Sequence, residues 1–298
     1  MYPEYEVKKK VNGGAVARIV IWSVVLVLLV GVFAGAMVLG GDGIIHFGGY
    51  VYEDADSYNV GNGEITDTVT ALDVDWIDGS VSIVPTDGDK IIVREDYQDD
   101  QDELRLRWKV ENGKLTVKYQ KSGRTTWGKE NHGKALTVEV PEALLKGMSK
   151  VEISIVSADL LMTDMTARET DIDMVSGDVV ISGDFGELDI DTVSGDVKLE
   201  GSAKSMDVDG TSATIELRLT QAPATIDVDT VSGNVSLLLP AETTGFEANV
   251  DAISGTVSVH GFDDVTKTKD YCRFGDGSIK INVDAVSGNL KIDKNLHD

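Results

Sequence analysis

Only one cysteine, Cys272, occurs in the 298 residues, so no disulfide can close within the chain. An exposed free thiol and a bond between chains both stay open. Positive charge is also scarce, with 27 Lys and Arg against 51 Asp and Glu. From residue 41 onward the count is 23 against 49, a formal charge of −26. Such a surface lacks the clustered cations that nucleic-acid phosphates require. The four histidines, His46, His132, His260 and His297, fall at no metal-ligand spacing and read as solvated loop residues. GxSxG, HExxH and phosphate-loop motifs are missing, and no long amphipathic helix follows residue 39. No catalytic residue and no cofactor is therefore assigned.

What the chain has in abundance is one repeated sentence, of which "DIDTVSGDVKLEG" at 189–201 is the clearest copy. With Gly195 as reference, equivalent positions fall at Gly79, Ala158, Gly177, Ala213, Gly233, Gly255 and Gly288. From 158 onward the spacings are 19, 18, 18, 20, 22 and 33, a period of about 18 to 20 with later insertions. Five residues before the corner stand Val74, Ile153, Ile172, Ile190, Val208, Val228, Val250 and Val283. Two after it stand Val81, Leu160, Val179, Val197, Ile215, Val235, Val257 and Leu290, and a third apolar column follows four after it. Apolar residues thus alternate with period two on both sides of the glycine, which predicts two short strands joined at a corner. Glycine reaches positive φ there without steric cost, and the preceding Ser can bond back to the backbone. A single copy leaves two unpaired edges and one apolar face, so copies must stack. The expected fold is an all-β solenoid of eight two-strand coils. Trp76 lies in an inward column and reads as a large core residue at the narrow end.

Two outward columns are acidic. Four before the corner stand Asp75, Ser154, Asp173, Asp191, Asp209, Asp229, Asp251 and Asp284; six before it stand Asp73, Glu152, Asp171, Asp189, Asp207, Asp227, Asn249 and Asn282. Stacking turns them into two ladders of like charge on one outer face. One reading is a solvated face that keeps an extended β surface soluble. The other is a row of cation ligands, with Asp173, Asp191, Asp209 and Asp229 as candidates for Ca²⁺, which favours several carboxylate oxygens together. The glycine-rich nonapeptide rhythm of calcium-binding β-rolls is absent.

Residues 19–39, "IVIWSVVLVLLVGVFAGAMVL", carry no charge. As a helix they would span about 31 Å, the thickness of a bilayer core. Lys8, Lys9, Lys10 and Arg18 precede them, which places residues 1–18 in the cytoplasm and the C-terminal part outside the cell membrane. Ala34-Gly35-Ala36 resembles a signal-peptide cleavage site, which keeps a cleaved leader as the alternative. Residues 40–64 read as a juxtamembrane linker, 65–293 as the solenoid, and 294–298 as a tail. Within the solenoid an insertion at about 86–141 contains a hairpin turning at Asn112-Gly113 and a further strand, "ALTVEVP". Trp108, Tyr119 and Trp127 belong to this insertion and are expected to pack it onto the first coil.

"LTVEVP" at 136–141, "VEISIVSADLLM" at 151–162 and the motifs "VSGDV", "VSGNV" and "VSGNL" together resemble a bacterial adhesin-like family of unknown function, the toast-rack domains. The resemblance covers roughly 65–293. It implies a β-solenoid, often behind a membrane segment or near envelope stress-response modules, with no agreed catalytic residues. The expected function is a membrane-anchored, extracytoplasmic, non-catalytic binding or assembly surface. Its partners would be an envelope protein, a glycan or a second copy, and a signalling accessory acting through the membrane helix fits the same sequence. The alternative is a polysaccharide-acting β-helix enzyme, which would need an irregular cluster of acid, base and electrophile at one place on the rod.

Overall fold

The structure, a computed structural model, describes residues 45–46, 49–96, 101–123 and 133–295. The expected tail at 1–18 and membrane span at 19–39 lie outside the described residues, as do Trp127, His132 and His297. Among the described residues no helix is long and apolar enough to cross a membrane.

The period of 18 sets each arm against its own copy in the next coil, so parallel pairing is in register. Ile172 pairs with Ile190, Ile190 with Val208, and Val208 with Val228. On the second arm Val179 pairs with Val197 and Val197 with Ile215. The inward columns form the core: Ile190, Val197, Val208 and Ile215 are completely buried. Strands stop at the Gly177, Gly195 and Ala213 corners, as the bounds Met148–Ser176, Val179–Ser194 and Val197–Ser212 show, whereas Met148–Ser176 runs through Ala158 without a break. The all-β solenoid is thus observed, and its coils differ from expectation in three ways.

First, the central coils have a third arm. Residues 165–167 pair with 183–185, and these with 201–203, around buried Met165, Phe185 and Ala203. A second glycine corner, Gly183 and Gly201, marks this arm six residues after the first. Second, the insertion is itself a ninth coil. Lys114–Lys118 pairs in parallel with residues 71–75, and Lys134–Pro141 with 79–86, which sets Leu115 on Leu72 and Leu136 on Val81. Its corner does not use the repeated motif. Trp76 is therefore core, as expected, yet it lies one coil in from the end.

Third, chain order is not stacking order. The last copy, built on Gly288, lies between the Gly233 and Gly255 copies: Val283 pairs with Val228 on one side and Val250 on the other. All copies share one register, so each edge matches any other. Tyr271–Gly275 folds antiparallel onto Gly245–Ser254 and occupies its outer edge, leaving the inner edge for Ile279–Ser287.

The corner glycines answer to contact between coils as well as to conformation. Gly195 has φ of 134°, and a Cβ built on it would lie 1.7 Å from the carbonyl oxygen of Gly177. Gly233 lacks a left-handed φ, yet its Cβ would still lie 1.8 Å from the carbonyl of Ala213. Any side chain there would push neighbouring coils apart.

Antiparallel strands close the ends. At one end Arg107–Glu111 covers Lys114–Lys118 across the expected hairpin, and Ile91–Asp96 covers Lys134–Pro141. Asn112 and Gly113 take the positive φ values that this two-residue turn requires. Asn59–Val60 and Gly63–Ile65 add to the same end, with Tyr50 and Ile65 buried. Residues 50–64, read from sequence as linker, are here part of the cap. At the other end the strand that carries Cys272 covers the first arm of the Gly255 coil, while Val257–His260 pairs on one side only.

Candidate functional site

The strands place the acidic residues where the alternation requires, on the outside of the first arm. One column runs Asp173, Asp191, Asp209, Asp229, Asp284, Asp251 in register; the other runs Asp171, Asp189, Asp207, Asp227, Asn282, Asn249. The four candidate cation ligands are therefore consecutive on successive coils, at a strand spacing of about 4.8 Å. The half-buried Val175, Val193 and Val231 flank the first column on the same face and restrict its solvation. Burial first, and neighbouring aspartates second, raise the carboxyl pKa of Asp191 and Asp229 to about 6 and of Asp209 to about 8. Asp173, Asp189 and Asp207 are raised for the same reasons. One carboxylate oxygen of Asp209 is buried and makes no hydrogen bond. Among the described residues no three His, Cys, Asp or Glu side chains are grouped as a metal site would group them.

The ladders are compensated differently along the rod, which the sequence reading missed. Lys114 lies 2.7 Å from Asp73 and 3.5 Å from Glu152, and Lys118 meets both Asp73 and Asp75. Lys150 reaches three carboxylates, Glu169 at 2.7 Å, Asp171 at 3.0 Å and Glu152 at 3.1 Å. Lys150 and Glu169 are eight residues before their corners, as are Glu247 and Lys280, another pair at 2.7 Å. Near the far end an amide chain takes over: Asn249 donates to Asn282 at 3.2 Å, and Asn282 donates to Asp227 at 2.6 Å. Where Ser154 interrupts the acidic column, a shallow cleft of about 300 Å³ opens among Asp73, Asp75, Lys114, Lys118 and Asp173.

The Asp or Asn that follows the corner glycine does separate work. Asp159 accepts the backbone N–H of Asp178 at 2.9 Å, Asp178 that of Asp196 at 2.9 Å, and Asp196 that of Thr214 at 3.3 Å. Asn234 accepts from Asn289 and Asn289 from Thr256. This third column satisfies turn amides that would otherwise lack a partner at the corner. The D or N of the VSGD and VSGN motifs was the available signal, since only a short acceptor reaches one coil away.

The sequence profile of the Toastrack DUF4097 family matches residues 69–293. The chain belongs to this family. No curated protein matches it. Among solved structures it is similar to a putative adhesin from Bacteroides fragilis, at 16% identity and a TM-score of 0.44 over 78% of this chain and 97% of that one. It is also similar to a putative cell adhesion protein from Clostridium sporogenes, at 14% identity and a TM-score of 0.33 over 79% and 100% of the two chains. A putative adhesin from Parabacteroides merdae is 13% identical, with a TM-score of 0.33 over 79% and 96%.

The remaining residues singled out from sequence serve the Toastrack scaffold. Trp108 is half-buried and donates its indole N–H to the carbonyl of Gly61 at 3.0 Å, and Tyr119 is buried edge-on against Trp76. Cys272 is completely buried, which overturns both the exposed thiol and the bond between chains; burial raises its thiol pKa. His260 is exposed, as expected, but ends the strand Val257–His260 instead of lying in a loop, with Nδ1 3.0 Å from Asp293. The most unusual group of the Toastrack cap was not singled out at all. Lys134 is buried, 2.8 Å from both Glu95 and the carbonyl of Leu104, and it also bonds the carbonyl of Tyr119. Its ammonium lies 4.1 Å from the ring centre of Tyr119, and burial lowers its pKa to about 8. Enclosed in this way it fastens the cap to the ninth coil.

Proposed function

We propose that this Toastrack domain is a non-catalytic display surface, held by residues 19–39 at the outer side of a bacterial cell membrane, where it contacts an envelope protein, a glycan or a second copy. The observation that carries this reading is the sameness of the outer face. Asp191, Asp209 and Asp229 repeat one chemistry on successive coils in register. A repeated row suits contact with an extended or repeating partner, whereas catalysis needs one unique constellation of unlike groups. The uncharged run at 19–39, preceded by Lys8 to Arg18, supports the anchor and its orientation.

Protease treatment of intact cells carrying a C-terminal epitope tests the placement. The epitope should disappear while a short N-terminal fragment stays with the membrane. An epitope protected until the cells are lysed would overturn the reading, and a mature chain beginning at Met37 would replace the anchor with a cleaved leader. The purified chain should release no reducing ends from envelope glycan. Release that a single carboxylate substitution abolishes would favour the enzyme instead.

A further inference from the structure

We propose that the two aspartate columns across the central coils are a proton-operated zipper: taking up protons joins successive coils through carboxyl–carboxylate hydrogen bonds, and losing them sets the same coils against one another. The second column contains an amide counterpart of the joined state. In the second column Asn282, paired in register with Asp227 and Asn249, donates to Asp227 at 2.6 Å and accepts from Asn249 at 3.2 Å. A protonated aspartate has the same shape as asparagine, with an O–H where the amide has its N–H. Asp171, Asp189 and Asp207 occupy this column, and Asp173, Asp191, Asp209 and Asp229 the parallel one.

The groups facing Asp209 are all of one sign. Asp189 and Asp191 approach from the preceding strand, Asp207 from its own, and Asp227 and Asp229 from the following one. The flanking cations along the stack are already engaged: Lys280, two coils away, lies 2.7 Å from Glu247, and Lys150, three coils away, reaches Glu152, Glu169 and Asp171. Beyond Asp229 the first column continues as Asp284 and Asp251. The buried, unpartnered oxygen of Asp209 lies at the middle of this row.

The sign of the effect follows from the upward shifts of Asp191, Asp209 and Asp229 to about 6, about 8 and about 6. A group whose folded pKa is raised lends stability that is complete below its unfolded value and is lost as pH rises through the folded one. The zipper is therefore closed near pH 5 and open above pH 8. Glu169, Glu247 and Asp293, whose pKa values lysine or histidine partners lower, act oppositely and only at stronger acidity.

The test is thermal unfolding of the full chain in detergent micelles, followed by circular dichroism at constant ionic strength between pH 5 and pH 8. The melting temperature should rise by about 4 to 8 °C on acidification. The triple variant Asp191→Asn, Asp209→Asn, Asp229→Asn should lose most of that dependence, Asp173, Asp189 and Asp207 keeping a remainder, and at pH 8 should melt closer to the parent's pH 5 value than to its pH 8 value. A flat parent profile, a parent that melts earlier in acid, or a triple variant with the parental slope would each overturn the zipper. Should the triple variant fail to fold, carboxyl-carbon NMR of the parent decides: titration of Asp209 above pH 6 supports the zipper, and a midpoint below 5 removes it.

Discussion

The middle of the rod and its Lys134 end solve the same problem by opposite means. In the middle, each coil is covered by another like itself, and one column is filled by equivalent residues from coil to coil, Ile190 on Val208 and Val197 on Ile215. At the end, no further copy arrives, and the chain covers the last coil with antiparallel strands, two large aromatic rings and one buried ion pair. Trp76, Tyr119 and Glu95 meet there around one residue, Lys134, which contacts all three. A repeating interior can be built from interchangeable parts, while termination of a sheet needs parts used once.

The largest effect should come from putting a charge into an interchangeable column. Ile190→Asp buries a carboxylate with no partner at a fully enclosed position, at a cost of several kcal/mol. Urea unfolding of the variant should show a midpoint far below the parent's. An unchanged midpoint would mean that the inward columns do not carry the middle of the rod.

An intermediate effect is expected at the end. Glu95→Ala removes one partner of a buried pair and leaves the Lys134 ammonium uncompensated, a loss of about 3 to 5 kcal/mol. Because burial already lowers the Lys134 pKa to about 8, the variant can shed the charge as pH rises, so its deficit should shrink between pH 6 and pH 10. Equal deficits at both pH values would show that the cap depends on the shape of Glu95 and not on its charge.

The smallest effect belongs to the corner column. Asp178→Ala removes the acceptor of the Asp196 amide in a solvent-exposed turn and should cost about 1 kcal/mol, with hydrogen exchange of that amide accelerated. An unaltered exchange rate would make the Asp of VSGD a solubility residue and not a corner acceptor.

Alternation and period were enough to determine the inward columns beside the repeated corner, the corner itself, and that the copies must stack, because a half-apolar strand pair cannot be stable alone; the third arm and its second corner at Gly183 and Gly201 emerged only in the packed coils. The same pattern placed Asp191, Asp209 and Asp229 in one outward-facing row and marked the Asn112-Gly113 hairpin. Only the tertiary structure decided the order of the coils, since copies with one shared register fit any neighbour equally well, and the Gly288 coil could enter beside Gly233 once another strand had covered the outer edge. It alone revealed that the insertion forms a ninth coil, because Leu115 and Leu136 continue the inward columns without the corner motif. The enclosure of Cys272, the grip of Glu95 on Lys134 and the bridging by Lys150 likewise depend on residues far apart in the chain. Local spacing carries no trace of such contacts, because what selects them is the geometry of the packed coils.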